Sequence, residues 1–371
     1  MRLRDQAAIA GIGYTEFSKN SGVSTLAMAL RAISDACDDA GIGIHDIDGL
    51  STHRVGDSVQ AAVVAHALGL RDISYLSDQF GGGSMSHSTI GQAAVAVTAG
   101  VADAVVCWRA INARSEFRMG GTDRPPPDVV EFQYQVPYGY ATPPQQFAVM
   151  ARAYLDRFGV GRDAFGQVAV RQRGYASTNE RALMRTPITM DDYLAARWIV
   201  EPLGLLDCCL ETDAAVAVVV TSAERARDLQ QPAVLVSGAV WGSGHTLFSN
   251  HREDFTTSAA ADASTRLWAM AGVGPGDVDV ACIYDAFTPL VLLQLEDYGF
   301  CPKGEAAGFY AETSLPINPH GGHLSEGYVH GLNHVAAAVE RLRGDASVAL
   351  STGQPGYVAG STSALILRAD R

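Results

Sequence analysis

One nine-residue pattern occurs twice in the chain and constrains its fold more than any other feature. The first copy reads Ala40-Gly41-Ile42-Gly43-Ile44-His45-Asp46-Ile47-Asp48. The second, in the same register without a gap, reads Ala271-Gly272-Val273-Gly274-Pro275-Gly276-Asp277-Val278-Asp279. Each copy describes a helix end, a Gly-containing turn, an acidic corner and an incoming apolar strand. A second pair follows. Gly82-Gly83 leads through an Ala-rich run to Gly100-Val101-Ala102-Asp103-Ala104-Val105-Val106, and Gly321-Gly322 leads through another to Gly344-Asp345-Ala346-Ser347-Val348-Ala349-Leu350. Two long copies do not make a solenoid, which stacks many short units. They describe duplicated halves related by a pseudo-two-fold axis, with the halves at 1–229 and 230–371.

A chain of 371 residues has room for a core in each half. Apolar content of 47 % with 18 % charge belongs to a globular protein with a large buried fraction. The net charge of −13 argues against a nucleic-acid surface and against docking on anionic membranes. The start, Met1-Arg2-Leu3-Arg4-Asp5, has no apolar stretch after its charges and does not read as a signal peptide. No apolar run approaches the ~18 residues of a membrane span. The six cysteines, at 37, 107, 208, 209, 282 and 301, show no paired spacing. That is the pattern of reduced thiols, and the expected location is cytoplasmic.

Residues 7–14 read as a buried strand. Ser24-Thr25-Leu26 starts a helix reaching Ala40, with a hydroxyl cap before apolar residues at helical spacing. Ile90 to Ala99 is a nearly unbroken run of small and apolar residues, so it predicts a helix inside the protein. Ala104 to Trp108, Ala214 to Val220 and Ala364 to Leu367 read as strands buried on both faces. Alternation of such strands with helices gives an α/β class. Between about 112 and 205 the composition shifts, through Arg114, Arg118, Arg124, Pro125-Pro126-Pro127 and the aromatic segment Phe132 to Tyr140. The second half has no counterpart, which makes this an insertion into the first copy. It reads as a binding loop or as a structural cap.

Duplicated halves, the long insertion and the glycine-rich segments resemble the thiolase superfamily over essentially the whole chain. The stretches that carry the likeness to its lipid-transfer-protein branch, the relatives of the sterol carrier protein thiolases, are these. They are Gly11 to Phe17, Asp46-Ile47-Asp48-Gly49-Leu50, Asp207-Cys208-Cys209 with Glu211 to Ala215, and Tyr284-Asp285-Ala286-Phe287. Asn318-Pro319-His320-Gly321-Gly322 and Ser351-Thr352-Gly353-Gln354-Pro355-Gly356 complete the set. The resemblance implies a thiolase fold: duplicated halves in five αβαβα layers, with an insertion domain over the active site. It also implies a homodimer.

A thiolase needs a cysteine to carry the acyl group. The matching position here is Gly83, or Ser84 if the register slips by one. The second family cysteine falls on Ser351, the histidine of the Gly-His-Pro-like step on Tyr328, and the Asn or His of the fourth loop on Tyr284. The two tyrosines are either ordinary half-buried rings in an abandoned site or a new acid–base pair. The cysteine-free double-tyrosine pattern resembles the bacterial steroid side-chain aldolases. Those cleave a β-hydroxyacyl-CoA bearing a tertiary alcohol on the steroid D-ring, releasing a ring ketone and a short acyl-CoA such as propionyl-CoA. They work with a small OB-fold, zinc-ribbon-type partner, which here implies a heterotetramer. No cofactor is implied for the chain itself, since the substrate carries coenzyme A.

Retro-aldol cleavage needs a base for the carbinol proton, an oxyanion site for the enolate and an acid for the α-carbon, but no covalent acyl group. A phenol with an ordinary pKa of about 10 is a poor base at neutral pH. His330, two residues after Tyr328, and Asp285, next to Tyr284, are the candidate proton relays. The backbone N–H groups of Gly82, Gly83 and Ser84, at the start of the buried helix, suit the enolate charge. His87 touches substrate or caps the same turn. His320, His323, His330 and His334 crowd one segment, but its turn-and-helix pattern spreads them, so no metal site is expected. Arg114, Arg118 and Arg124 are candidates for the phosphates of coenzyme A, or are simply solvated. Two rival functions remain: a thiolase with a displaced nucleophile, and a non-catalytic acyl-CoA-binding or scaffold subunit.

Overall fold

The two copies of the repeat fold alike. The computed structural model describes residues 3–116, 118, 133–243, 253–356 and 361–371. The first half runs β1 (Ala7–Tyr14), α1 (Thr25–Ala40), β2 (Gly49–Arg54), α2 (Ala61–Ala67), β3 (Tyr75–Phe80), α3 (Ser86–Thr98) and β4 (Ala104–Asn112). Three helices follow, α4 (Pro143–Phe158), α5 (Asp163–Ala176) and α6 (Met190–Ala195), with a hairpin of β5 (Trp198–Val200) and β6 (Leu203–Gly204). Next come β7 (Asp213–Ser222) and α7 (Ala223–Arg227). The second half is β8 (Val234–Ser243), α8 (Ala259–Ala271), β9 (Val280–Cys282), α9 (Thr288–Asp297), α10 (Ala306–Glu312), α11 (Gly322–Ser325), α12 (Leu332–Arg343), β10 (Val348–Thr352) and β11 (Ser361–Ala369).

The strands form a sheet in the order β3-β2-β4-β7-β1-β8-β11-β10-β9. Reading outward from its middle, β1-β7-β4-β2 and β8-β11-β10-β9 repeat one another. In each set the last pair is parallel and the two before it antiparallel. The halves meet where β1 pairs with β8 over only two residues, Ala8 with Leu235 and Ile9 with Val234. β3 extends the first half alone and forms one edge.

The repeated acids explain why the pattern recurs. Asp46 and Asp277 each accept the N–H three residues earlier, from Gly43 and Gly274 at 2.8 Å. Asp48 accepts from the N–H groups of Asp103 and Ala104 at the mouth of β4. Asp279 does the same for Ser347 and Val348 at the mouth of β10. One carboxylate per half therefore ties a parallel strand pair together by charge-assisted bonds.

α3 and α12 each pack against strands of both halves, whereas α1 packs chiefly on first-half strands and α8 chiefly on second-half ones. The result is a five-layered arrangement with α3 and α12 in the middle. Ser24 caps α1 as expected, its side chain accepting from the Ala27 N–H. α3 is buried along most of its length, although Val95 reaches the surface. Buried helices of this kind deliver their N-termini to the interior, and the α3 N-terminus is where the candidate residues gather.

Candidate active site

Tyr284 leaves β9 in the loop before α9, and its backbone is clamped on both sides. Its N–H donates to Thr352 Oγ1 at 2.9 Å, and its carbonyl accepts from Gln294 Nε2 at 2.7 Å. Thr352 in turn donates to Gln294 Oε1 at 2.7 Å. Tyr328 lies in the loop between α11 and α12, with its N–H on Thr212 Oγ1 at 3.0 Å. The two phenol oxygens are 2.7 Å apart, an ordinary O–H···O hydrogen bond. Both rings are buried.

Gly83 explains why no nucleophile stands here. A Cβ built on it would lie 2.2 Å from Tyr284 Oη and 2.5 Å from Cζ. Tyr284 thus occupies the space that a side chain at 83 would need. The neighbouring Gly82 is different: the nearest atom to its Cβ position is His330 Cε1 at 3.9 Å. The carbonyl of Gly83 accepts from Ser86 Oγ and from the Gln354 N–H, and that of Ser84 from Ser363 Oγ. The turn is held through its carbonyls.

His87 is committed to that turn. Ser86 Oγ gives its proton to the Gly83 carbonyl, so it accepts from His87 Nδ1 at 2.8 Å. Nε2 is then the acceptor for Ser351 Oγ–H at 2.7 Å. The structure therefore joins the second-cysteine position, Ser351, to His87 and to the backbone of Gly83 in one buried chain of bonds.

His330 and Asp285 take different places from those a direct proton relay requires. His330 has φ of 52°, a left-handed conformation uncommon outside glycine. Its ring stands edge-on to Tyr328 at 4.9 Å between centroids. Its Nδ1 accepts from Arg109 Nε at 3.0 Å. An arginine only donates, so the His330 proton is on Nε2 and the Nδ1 lone pair is taken. His330 is thereby a donor rather than a base. Asp285 turns away from both phenols. Its carboxylate accepts the N–H groups of His323 at 2.9 Å and Leu324 at 3.3 Å, and faces His334 Nε2 at 3.0 Å.

Between Asp285 and the phenols stands His323, edge-on to Tyr284 at 4.8 Å and to Tyr328 at 4.9 Å. Asn333 uses its Nδ2 on Glu326 and the Gly327 carbonyl, which leaves its Oδ1 to accept from His323 Nε2 at 3.2 Å. The lone pair of His323 Nδ1 then faces Asp285 Oδ1 at 3.1 Å. Two acceptors at that distance favour a proton on Asp285. Burial acts the same way, pushing this carboxyl up to about 7. Asp285, His323 and His334 are also the group of residues whose ligand atoms converge, within 4.8 Å of one another. His334 Nε2 and Asp285 Oδ1 are hydrogen-bonded to one another, and His323 Nδ1 approaches the same oxygen at 3.1 Å, so the arrangement fits a polar support beneath the phenols.

Sequence reasoning missed Arg109, Asp57 and His53. Arg109 lies on β4, fully buried, ion-paired to Asp57. A charge inside an apolar strand must be paired, and Arg109 directly after Trp108 was the visible signal. His53 lies on β2 and stacks on His330 at 5.9 Å. Both phenols are raised in pKa, first by burial, and the Arg109 charge pulls each back.

The other candidates lie elsewhere. Arg114 and Arg118 both approach Glu211, at 3.8 and 2.7 Å. Arg124, the triple proline and Phe132 lie outside the described residues. Tyr138 and Tyr140 line a cavity of about 430 Å³ with Val149, Arg152 and Val200, and this cavity shares no lining residue with the phenol site.

Three comparisons bear on the whole. Residues 242–368 match the family described as Thiolase C-terminal domain-like. The chain is 44 % identical to the 17-hydroxy-3-oxo-4-pregnene-20-carboxyl-CoA lyase of Mycobacterium tuberculosis, over 92 % of each protein. It is 44 % identical to the steroid side-chain-cleaving aldolase of Thermomonospora curvata, over 98 % of each. A solved structure, the Ltp2-ChsH2(DUF35) aldolase, superposes with a TM-score of 0.94 at 42 % identity over the full length of both chains. The chain therefore belongs to the thiolase superfamily, in its family of steroid side-chain-cleaving aldolases.

Proposed function

We propose that this chain is a retro-aldolase acting on a β-hydroxyacyl-CoA side chain of the 17-hydroxy steroid type, yielding a ring ketone and propionyl-CoA. The observation that carries the reading is the bonded phenol pair, with the Tyr284 ring filling the space over Gly83. Names of the close relatives, a lyase and an aldolase of steroid side chains, support it.

Phenols raised by burial stay protonated at rest, so neither is a resting base. Two hydrogen-bonded phenols avoid the difficulty by passing protons along the pair. The carbinol O–H proton moves to one phenol oxygen, that phenol's proton moves to the other, and the second phenol protonates the α-carbon. Meanwhile the C–O bond becomes C=O, and the bond between the α- and β-carbons breaks with its electron pair entering the thioester enolate. The proton leaving the alcohol is matched by the one gained at carbon, and no phenolate accumulates. N–H groups of Gly82, Gly83 and Ser84 at the α3 N-terminus support the enolate.

A displaced thiol nucleophile fits less well. Cys209 is near enough to influence both phenols, but burial holds its own thiol well above the usual range, so it rests as a thiol rather than a thiolate. The assembly we infer is a homodimer joined by a small OB-fold, zinc-ribbon-type protein; the name Ltp2-ChsH2(DUF35) aldolase itself pairs two proteins. No helix among the described residues is long and apolar enough to cross a membrane, and we place the enzyme in the cytoplasm.

The test is turnover of a 17-hydroxy steroid side-chain CoA thioester in the absence of free coenzyme A, with and without the partner. Release of propionyl-CoA and the 17-ketone is expected. The Tyr284→Phe, Tyr328→Phe double variant should bind the ester and not cleave it; full activity in that variant sinks the reading. Saturable binding without turnover by the wild type would instead favour a non-catalytic subunit.

A further inference from the structure

The relay leaves one fully buried titratable side chain beside it without a task. His53 is 0 % exposed, and neither Nδ1 nor Nε2 has a hydrogen-bond partner among the described residues. A neutral imidazole carries one N–H and one lone pair. Folded proteins rarely leave such groups unmet in the interior, and the exceptions call for a reason. The ring is held in place from two directions. It stacks at 28° on His330, itself edge-on to Tyr328. Its strand pairs in parallel with β4, which carries Arg109. Burial, followed by the charge of Arg109, keeps His53 well below the usual imidazole range, so it is neutral.

The neighbourhood says which substrate atom it meets. Arg109 is a buried cation whose guanidinium donates to Asp57 and to His330. His330 borders the Gly82 backbone. The carbinol must reach a phenol, because its proton travels through the pair. The group that gains negative charge during cleavage is the thioester oxygen, and it is stabilised where donors cluster around a positive charge. A neutral imidazole still carries one N–H donor and can polarise a carbonyl-type oxygen without being an imidazolium.

We propose that His53 binds substrate directly: its N–H donates to the thioester oxygen, and that bond strengthens as the α,β-carbon bond breaks and the oxygen takes up enolate charge. The assignment rests on the retro-aldolase reading above. It deepens that reading by giving the enolate a side-chain donor besides the α3 turn.

Two variants of the full-length enzyme, with its partner present, test it. His53→Phe keeps a ring and removes both nitrogens; His53→Asn restores a donor. For His53→Phe, kcat should fall by roughly 100-fold or more, with KM within about threefold and an unchanged melting temperature. His53→Asn should recover at least about tenfold of that loss. A binding measurement separates this from a structural role. A CoA analogue bearing a nitroalkyl group in place of the thioester carries the enolate's charge once ionised to its nitronate. His53→Phe should lose affinity for the nitronate and keep that for the uncleavable saturated ester. Equal losses for both ligands, or a His53→Phe enzyme within threefold of wild-type kcat, would overturn the proposal. The Tyr284→Phe, Tyr328→Phe variant runs in parallel. If it still turns over, the phenol relay falls, while the nitronate comparison decides His53 independently.

Discussion

At Gly83 the distance from a built Cβ to Tyr284 Oη, 2.2 Å, leaves room for nothing beyond hydrogen. Gly82 beside it has a clearance of 3.9 Å. Neither residue has positive φ, so a methyl group at either tests space alone. Gly83→Ala should push the Tyr284 ring off Tyr328 and lower kcat more than about tenfold, because proton transfer depends on donor–acceptor geometry. Gly82→Ala, which has room for its methyl group beside His330, should leave the phenol pair in place and lower kcat less than Gly83→Ala does. Steady-state kinetics of the two variants side by side checks this, and equal effects would mean that the ring does not fill that space. Asp285 gives a second residue-scale prediction. Its carboxyl is raised from 3.8 to about 7, with burial the largest cause. The protonated form is thus favoured in the folded state. That contribution is complete below about pH 4 and lost as pH climbs to about 7. Asp285→Asn removes the titration, so the difference in melting temperature between variant and wild type should shift in the variant's favour from pH 5 to pH 8. A constant difference would show that Asp285 is ionised throughout.

Among the elements, β1 and α1 approach one another closely enough to leave no room for a side chain between them. A Cβ on Gly11 would stand 2.1 Å from the Ala36 carbonyl oxygen, so the helix backbone rests directly on the strand. Gly11→Ala should cost about 1–3 kcal/mol by overpacking, seen as a lower melting temperature with the phenol pair untouched. The sequence made such elements readable: the Ser24 cap, the strand at 7–14, the interior helix after Gly83 and the paired acidic corners all follow from local pattern. Tyr284 and Tyr328 were readable for a different reason, their register against family loops. Arg109, Asp57 and His53 were not. Arg109 comes from β4, Asp57 from the loop after β2 and His53 from β2 itself, and they converge only because two strands separated by β3 and α3 lie side by side. Periodicity says that a side chain at 53 or 109 is buried; it does not say which side chains it meets. The orientation of Asp285 was hidden for the same reason, since its partners belong to the α11 turn and to α12.

Across the whole molecule the sheet ends at β3, whose outer edge has no strand partner among the described residues and whose Leu76 and Phe80 are 51 and 83 % exposed. Long apolar edges invite pairing, and native proteins cover them. The homodimer follows if β3 pairs with its copy in a second subunit and takes Phe80 out of water. The mass in solution should then be twice 39.2 kDa, and Phe80→Lys should halve it in sedimentation or light scattering. The same edge bears on catalysis. Phe80 is followed at once by Gly81, Gly82 and Gly83, and Gln79 on β3 accepts from Ser88 on α3 at 2.7 Å. A subunit that braces β3 therefore braces the turn under Tyr284. Specific activity of the wild type should fall on dilution through the dimer dissociation range, and Phe80→Lys should show the same low kcat at every concentration. A Phe80→Lys monomer with full kcat would separate the two roles, leaving dimerisation to cover the edge and nothing more.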